Sequence, residues 1–152
     1  MMLAEEILRA LFGAFFGAVG FAMLVHVPRR SWFVSGLIAA FSYLVYWAFL
    51  RIGLSDPTSI FIGSLLGSLA GQLCARKMRM IGTVFLMSAV VPVVPGLGLY
   101  RMMAFLGQNR IADGADMGIL AMITVAMIAL GLGAGALIDR ILHSRSLKDH
   151  HI

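Results

Sequence analysis

Five apolar stretches, at 7–27, 32–52, 58–74, 81–106 and 117–142, are separated by short polar connections and dominate this sequence. At about 1.5 Å of rise per residue each suits a hydrocarbon layer about 30 Å thick, although the third is short. The punctuation agrees, since Pro28-Arg29-Arg30, Gly53-Leu54-Ser55-Asp56-Pro57, Arg76-Lys77-Met78-Arg79 and Gly107-Gln108-Asn109-Arg110 fall between them. These connections are too short to hold a domain outside the membrane. The expected fold is therefore all-α: a polytopic membrane protein in which about five helices make residues 1–152 a single transmembrane domain.

Composition excludes the soluble alternative. Apolar residues make up 61% of the chain and charged residues 12%, with a mean hydropathy of +0.95. A soluble fold of that make-up would leave broad hydrophobic patches in water. The net charge of +5 does not point to nucleic acid, because the basic residues lie singly or in short clusters between apolar runs, as in loops flanking membrane spans. Cys74 is the sole cysteine and reads as a buried bystander. The start, Met1-Met2-Leu3-Ala4-Glu5-Glu6, lacks the positive region of a signal peptide, so the first helix is expected to remain in the mature protein.

With five spans the basic residues divide unevenly. One face collects Arg29, Arg30, Arg76, Lys77, Arg79, Arg140, Arg145 and Lys148, against Arg9, Arg51, Arg101 and Arg110 on the other. The excess of positive charge predicts a cytoplasmic C-terminus in the cell membrane. Trp32 then sits at the cytoplasmic interface and Tyr46-Trp47 toward the outer one. Four spans, or a fourth segment that enters and turns back, would change the parity. No internal repeat stands out, so any pseudo-symmetric mate is expected from another chain.

Small residues mark candidate packing faces. Gly63, Gly67 and Gly71 recur at four-residue intervals, with Ser64 and Ser68 on the adjoining strip, and Gly13, Gly17, Gly131 and Gly135 repeat the device in the first and fifth spans. In lipid such smooth faces let backbones approach closely. They serve either internal packing or a subunit interface or moving seam.

The fourth span is the most informative, because Pro92-Val93-Val94-Pro95-Gly96-Leu97-Gly98 interrupts it near its centre. Each proline lacks an N–H and clashes with the carbonyl four residues earlier. A backbone so broken at membrane depth is tolerated only against protein or a water-filled cavity. A second half-helix starting near Pro95 would turn its N–H groups and positive dipole end toward that cavity, an arrangement suited to an anion. Tyr100 and Arg101 follow by about one turn and are candidates for the same substrate path, with Pro92, Pro95, Gly96 and Gly98. A simple proline kink, with Arg101 snorkelling outward, is the competing reading.

No Asp or Glu falls in the middle of any expected span: Glu5, Glu6, Asp56, Asp113, Asp116, Asp139 and Asp149 lie at ends or in loops. Ion relays use embedded carboxylates or histidines, and His26 sits at the cytoplasmic edge. If transport is ion-coupled, the coupling carboxylates are expected on another chain. Metal-ligand spacing, a nucleophile elbow and a phosphate-binding glycine loop are all missing, so neither an enzyme, a cofactor nor a metal site is expected.

With these residues in place the chain resembles the small membrane subunit, or C-terminal half, of the threonine/serine exporter family. The resemblance rests on Gly20-Phe21-Ala22-Met23 with His26-Val27-Pro28-Arg29-Arg30, and on Val91-Pro92-Val93-Val94-Pro95-Gly96 with Tyr100 and Met103. Val91 replaces the isoleucine typical before the first proline. The likeness covers about residues 7–142. It implies a five-helix module that works with a larger membrane partner, separate or fused. Such pairs are exporters driven by proton motive force, of threonine and serine in some members and succinate in another branch. The leading expectation is one subunit of a heteromeric exporter of small amino acids or dicarboxylates. A non-transporting accessory protein and a self-assembled channel are the alternatives.

Overall fold

The computed structural model describes the backbone of residues 2–148 and the side chains of residues 5–142. Met1 and the side chains of Arg145, Lys148 and Asp149 lie outside the described residues. The described chain is helical throughout, with α1 (Met2–Leu24), α2 (Trp32–Arg51), α3 (Asp56–Met78), α4 (Gly82–Val90), α5 (Gly96–Gly107) and α6 (Ile111–Lys148). Two single turns of 3-10 helix, Arg29–Ser31 and Val91–Val93, precede α2 and follow α4.

Four helix ends share one device. His26, Gly53, Arg79 and Asn109 adopt left-handed backbone angles just past α1, α2, α3 and α5. Each allows the next N–H to reach back to a carbonyl five residues earlier, as from Val27 to Ala22 (2.9 Å), Met80 to Ala75 (2.9 Å) and Arg110 to Phe105 (2.9 Å). These bonds satisfy last-turn carbonyls that would otherwise be orphaned. At the other end of α3, Pro57 occupies the first turn, where its missing N–H costs nothing. The hydroxyls of Thr58 and Ser59 bond back to the Ser55 carbonyl.

The interior is built mostly of small residues, serines among them, while many large apolar side chains face outward. Fully buried side chains include Ser31, Ser35, Ser42, Ser59, Ser64, Ser68 and Ser88, whereas Phe12, Phe16, Leu24, Leu97 and Met122 face outward. Lipid is the solvent that makes this arrangement stable. Small residues inside permit close helix contact, and large apolar ones outside meet acyl chains.

α3 is the centre of the bundle, packed against α2, α4 and α6. A methyl group added at Gly63 would lie 3.1 Å from the Ser42 carbonyl oxygen of α2, and one at Gly71 would lie 3.3 Å from Phe85 Cβ of α4. One at Gly131 or Gly135 of α6 would lie 2.6 Å from the Phe61 carbonyl oxygen or 2.7 Å from Ser68 Cβ. Hydrogen bonds cross these seams from Ser42 Oγ to the Gly63 carbonyl (3.0 Å) and from Ser68 Oγ to the Leu132 carbonyl (3.1 Å). Near one end of the α3–α6 seam, Arg76 hydrogen-bonds the side chain of Asp139, which is 8% exposed.

Four helices are long and apolar enough to cross a membrane, and a fifth span is reached if α4 and α5, bent by 50° at the break between them, count as one. The boundaries differ from the sequence reading at several ends. α3 begins at Asp56 and runs on to Met78, so the third segment is 23 residues and not short. α6 begins at Ile111, which places Asp113 and Asp116 in its first turns and not in a loop. Asp139, near the end of the expected fifth stretch, lies within α6 and is held by Arg76.

Candidate site at the broken fourth span

The break begins where α4 tightens into the turn Val91–Val93, with Pro92 at its start. Val94 is extended (φ −59°, ψ 130°), and Pro95 turns the chain (φ −76°, ψ 52°). Across Pro95 the N–H of Gly96 bonds the Val94 carbonyl at 2.8 Å, a three-residue turn. The N–H of Val94 still reaches the Val90 carbonyl (3.2 Å), and that of Leu99 reaches the Pro95 carbonyl (3.0 Å). No side chain caps α5 at Pro95. The first-turn N–H groups of Leu97 and Gly98 therefore have no capping partner at the positive end of the helix. The two halves, Gly82–Val93 and Gly96–Gly107, are 12 residues each, about 18 Å per half, so the break falls near mid-span.

Beside the break lies a cavity of about 390 Å³ lined by Ala10, Gly13, Ala14 and Gly17 of α1, Tyr43 of α2, and Val91 and Pro92. That volume is within the ordinary range of small-molecule sites, about 300–1,000 Å³. A methyl group added at Gly13 or Gly17 would meet nothing within 4 Å, so this strip of α1 borders open space. The glycines of α3 and α6 press against neighbouring helices. The half-buried Tyr43 brings a phenol to the otherwise apolar wall. Sequence reasoning missed Tyr43; its only signal is the spacing to Tyr46, which puts both rings on one helix face 5.8 Å apart.

The remaining sequence candidates are dispersed. Gly96 faces open space, and Gly98 lies opposite Ala121 of α6, with 3.9 Å to a hypothetical methyl group. Tyr100 is 70% exposed, and Arg101 is exposed as well. Neither lines the α1 cavity, which contains Pro92 alone of the six substrate-path candidates. α5 has no buried residue and leans chiefly on α6. Among the described residues no cluster of three or more His, Cys, Asp or Glu side chains is placed to hold a metal ion. The turn at Val91–Pro92 thus borders a cavity with one phenol and an otherwise apolar wall, and the uncapped N–H groups of α5 lie outside that lining.

A family model described as Threonine/Serine exporter, ThrE, matches residues 10–138. The match takes in α1 from its third turn, both halves of the broken fourth segment and most of α6. No solved structure matches the chain.

Proposed function

Because this chain belongs to the threonine/serine exporter family, and so has a membrane transport role, we propose that it is one subunit of a heteromeric secondary exporter whose substrate path runs along the break at 92–98. The carrying observation is the mid-span interruption beside a cavity, a form of backbone that membranes tolerate only where it lines protein or water. The substrates are small carboxylate-bearing metabolites: threonine and serine, or a dicarboxylate such as succinate. The uncapped start of α5 favours the carboxylate they share. Proton motive force drives the export. A larger membrane partner of the same family supplies the coupling carboxylates, and it covers the bare face of α5 that carries Tyr100, Arg101 and Met103. The pair resides in the cell membrane with this chain's C-terminus in the cytoplasm.

The test is efflux of labelled threonine, serine and succinate from cells expressing this chain, the larger partner, or both. Export is expected only with both. Export by this chain in cells lacking the partner would overturn the two-subunit reading.

A further inference from the structure

The two ends of the bundle differ sharply in charge. Ser31 Oγ donates to Met80 Sδ (3.3 Å), joining the loop after α1 to the loop after α3, and Arg76 ties α3 to Asp139 of α6. Arg29, Arg30, Lys77, Arg79 and Arg140, all exposed, therefore share one end. The single carboxylate there among the described residues is Asp139, buried and occupied by Arg76. The opposite end mixes Glu5, Glu6, Asp56, Asp113 and Asp116 with Arg9, Arg51 and Arg110, and Arg110 is paired with Asp113 (2.8 Å).

A second cavity, also about 390 Å³, opens at the basic end between α1 and α4. Phe21, Val25, Val27, Ile81, Val84 and Met87 form its wall, with Thr83 and Ser88 the polar members. Val27 and Ile81 stand two residues from Arg29 and Arg79, so an apolar groove runs directly into a field of fixed positive charge. We infer that this groove and its rim form a binding site for an anionic phospholipid, with the phosphate headgroup among Arg29, Arg30 and Arg79 and an acyl chain between α1 and α4.

Charge and an apolar lining together select that occupant. A zwitterionic lipid gains little from five unneutralised cations. Headgroups of net negative charge gain about fivefold in binding for each Lys or Arg near them. The lining is almost wholly apolar, as an acyl chain requires, and basic pockets between membrane helices hold such headgroups. The site does not depend on the transport reading.

The experiment uses the full chain, purified and stripped of lipid, with native mass spectrometry and Tm as readouts. The probes are phosphatidylglycerol, phosphatidylcholine of the same acyl chains, glycerol 3-phosphate and inorganic phosphate. Phosphatidylglycerol is expected to remain bound and raise Tm, and the other three to do neither. R29Q/R30Q/R79Q should weaken phosphatidylglycerol binding on the order of a hundredfold, whereas R9Q/R51Q at the opposite end should leave it unchanged. Met87→Trp, which fills the groove from an exposed position without touching the charges, should also weaken it. Equal binding of both lipids, or full binding by the triple variant, would overturn the proposal. So would full binding by Met87→Trp, as expected if the groove receives a partner helix, or a match by glycerol 3-phosphate, which would make this a soluble-phosphate site.

Discussion

At Gly131 a methyl group would stand 2.6 Å from the Phe61 carbonyl oxygen, and that atom belongs to the backbone of the central helix and cannot rotate aside. Gly131→Val must therefore push α6 off α3, at a cost of about 1–3 kcal/mol, read as a lower unfolding midpoint in detergent micelles. Gly17→Ala meets open space. It should be neutral or stabilising by up to about 1 kcal/mol, because alanine is the better helix former. The four-residue recurrence of glycine is visible in the sequence, but it is identical for strips that touch a neighbour and strips that do not. The Arg76–Asp139 pair shows the same limit. Their 63-residue separation leaves no local trace, and both fall beside other charges that read as a polar flank. Arg76→Met strands a buried carboxylate and should cost about 1–3 kcal/mol. Exchanging the two, Arg76→Asp with Asp139→Arg, should recover most of that loss in the same unfolding assay.

At the scale of elements, proline and glycine made the break legible, while helix ends were blurred because three of the four left-handed caps are not glycine. His26, Arg79 and Asn109 take angles for which glycine is the usual signal. α3 outruns its apolar stretch because Arg76 and Lys77 suit its negative C-terminal end. α6 is 38 residues, about 57 Å, and so extends well beyond a hydrocarbon layer of about 30 Å. Its polar flanks continue the helix with no apolar signal to mark them. For the break itself, proline costs about 3 kcal/mol and glycine about 1 kcal/mol relative to alanine inside a helix. Pro95→Ala/Gly96→Ala should thus favour helix through 95–96 by roughly 4 kcal/mol and reduce the 50° bend to the kink left by Pro92. Export should fall toward background, with membrane insertion and abundance unchanged on a blot. Undiminished efflux from that variant would reduce the break to a kink.

For the whole molecule, a serine and glycine interior beneath a leucine and phenylalanine exterior explains why composition revealed the solvent but not the site. Hydropathy reports which segments meet lipid, and it is silent about which polar atoms converge within. Tyr43 reaches the break only because α2 crosses α1 beside it, a fact of helix packing and not of spacing along the chain. The cavity there has one wall of glycine, and that wall separates two kinds of role. If it merely packed against the rest of this chain, a larger residue would lower stability. If it borders a solute path, a larger residue would leave stability intact and block passage. Gly17→Leu projects a branched side chain into the cavity of about 390 Å³. Its unfolding midpoint should stay within the small range of exposed substitutions, about 0.5 kcal/mol. Efflux by the assembled pair should drop steeply, and more for succinate-sized or threonine-sized substrates than for serine if bulk is the cause. A Gly17→Leu protein that exports normally would remove this cavity from the path and shift attention to the α5 surface around Tyr100 and Arg101.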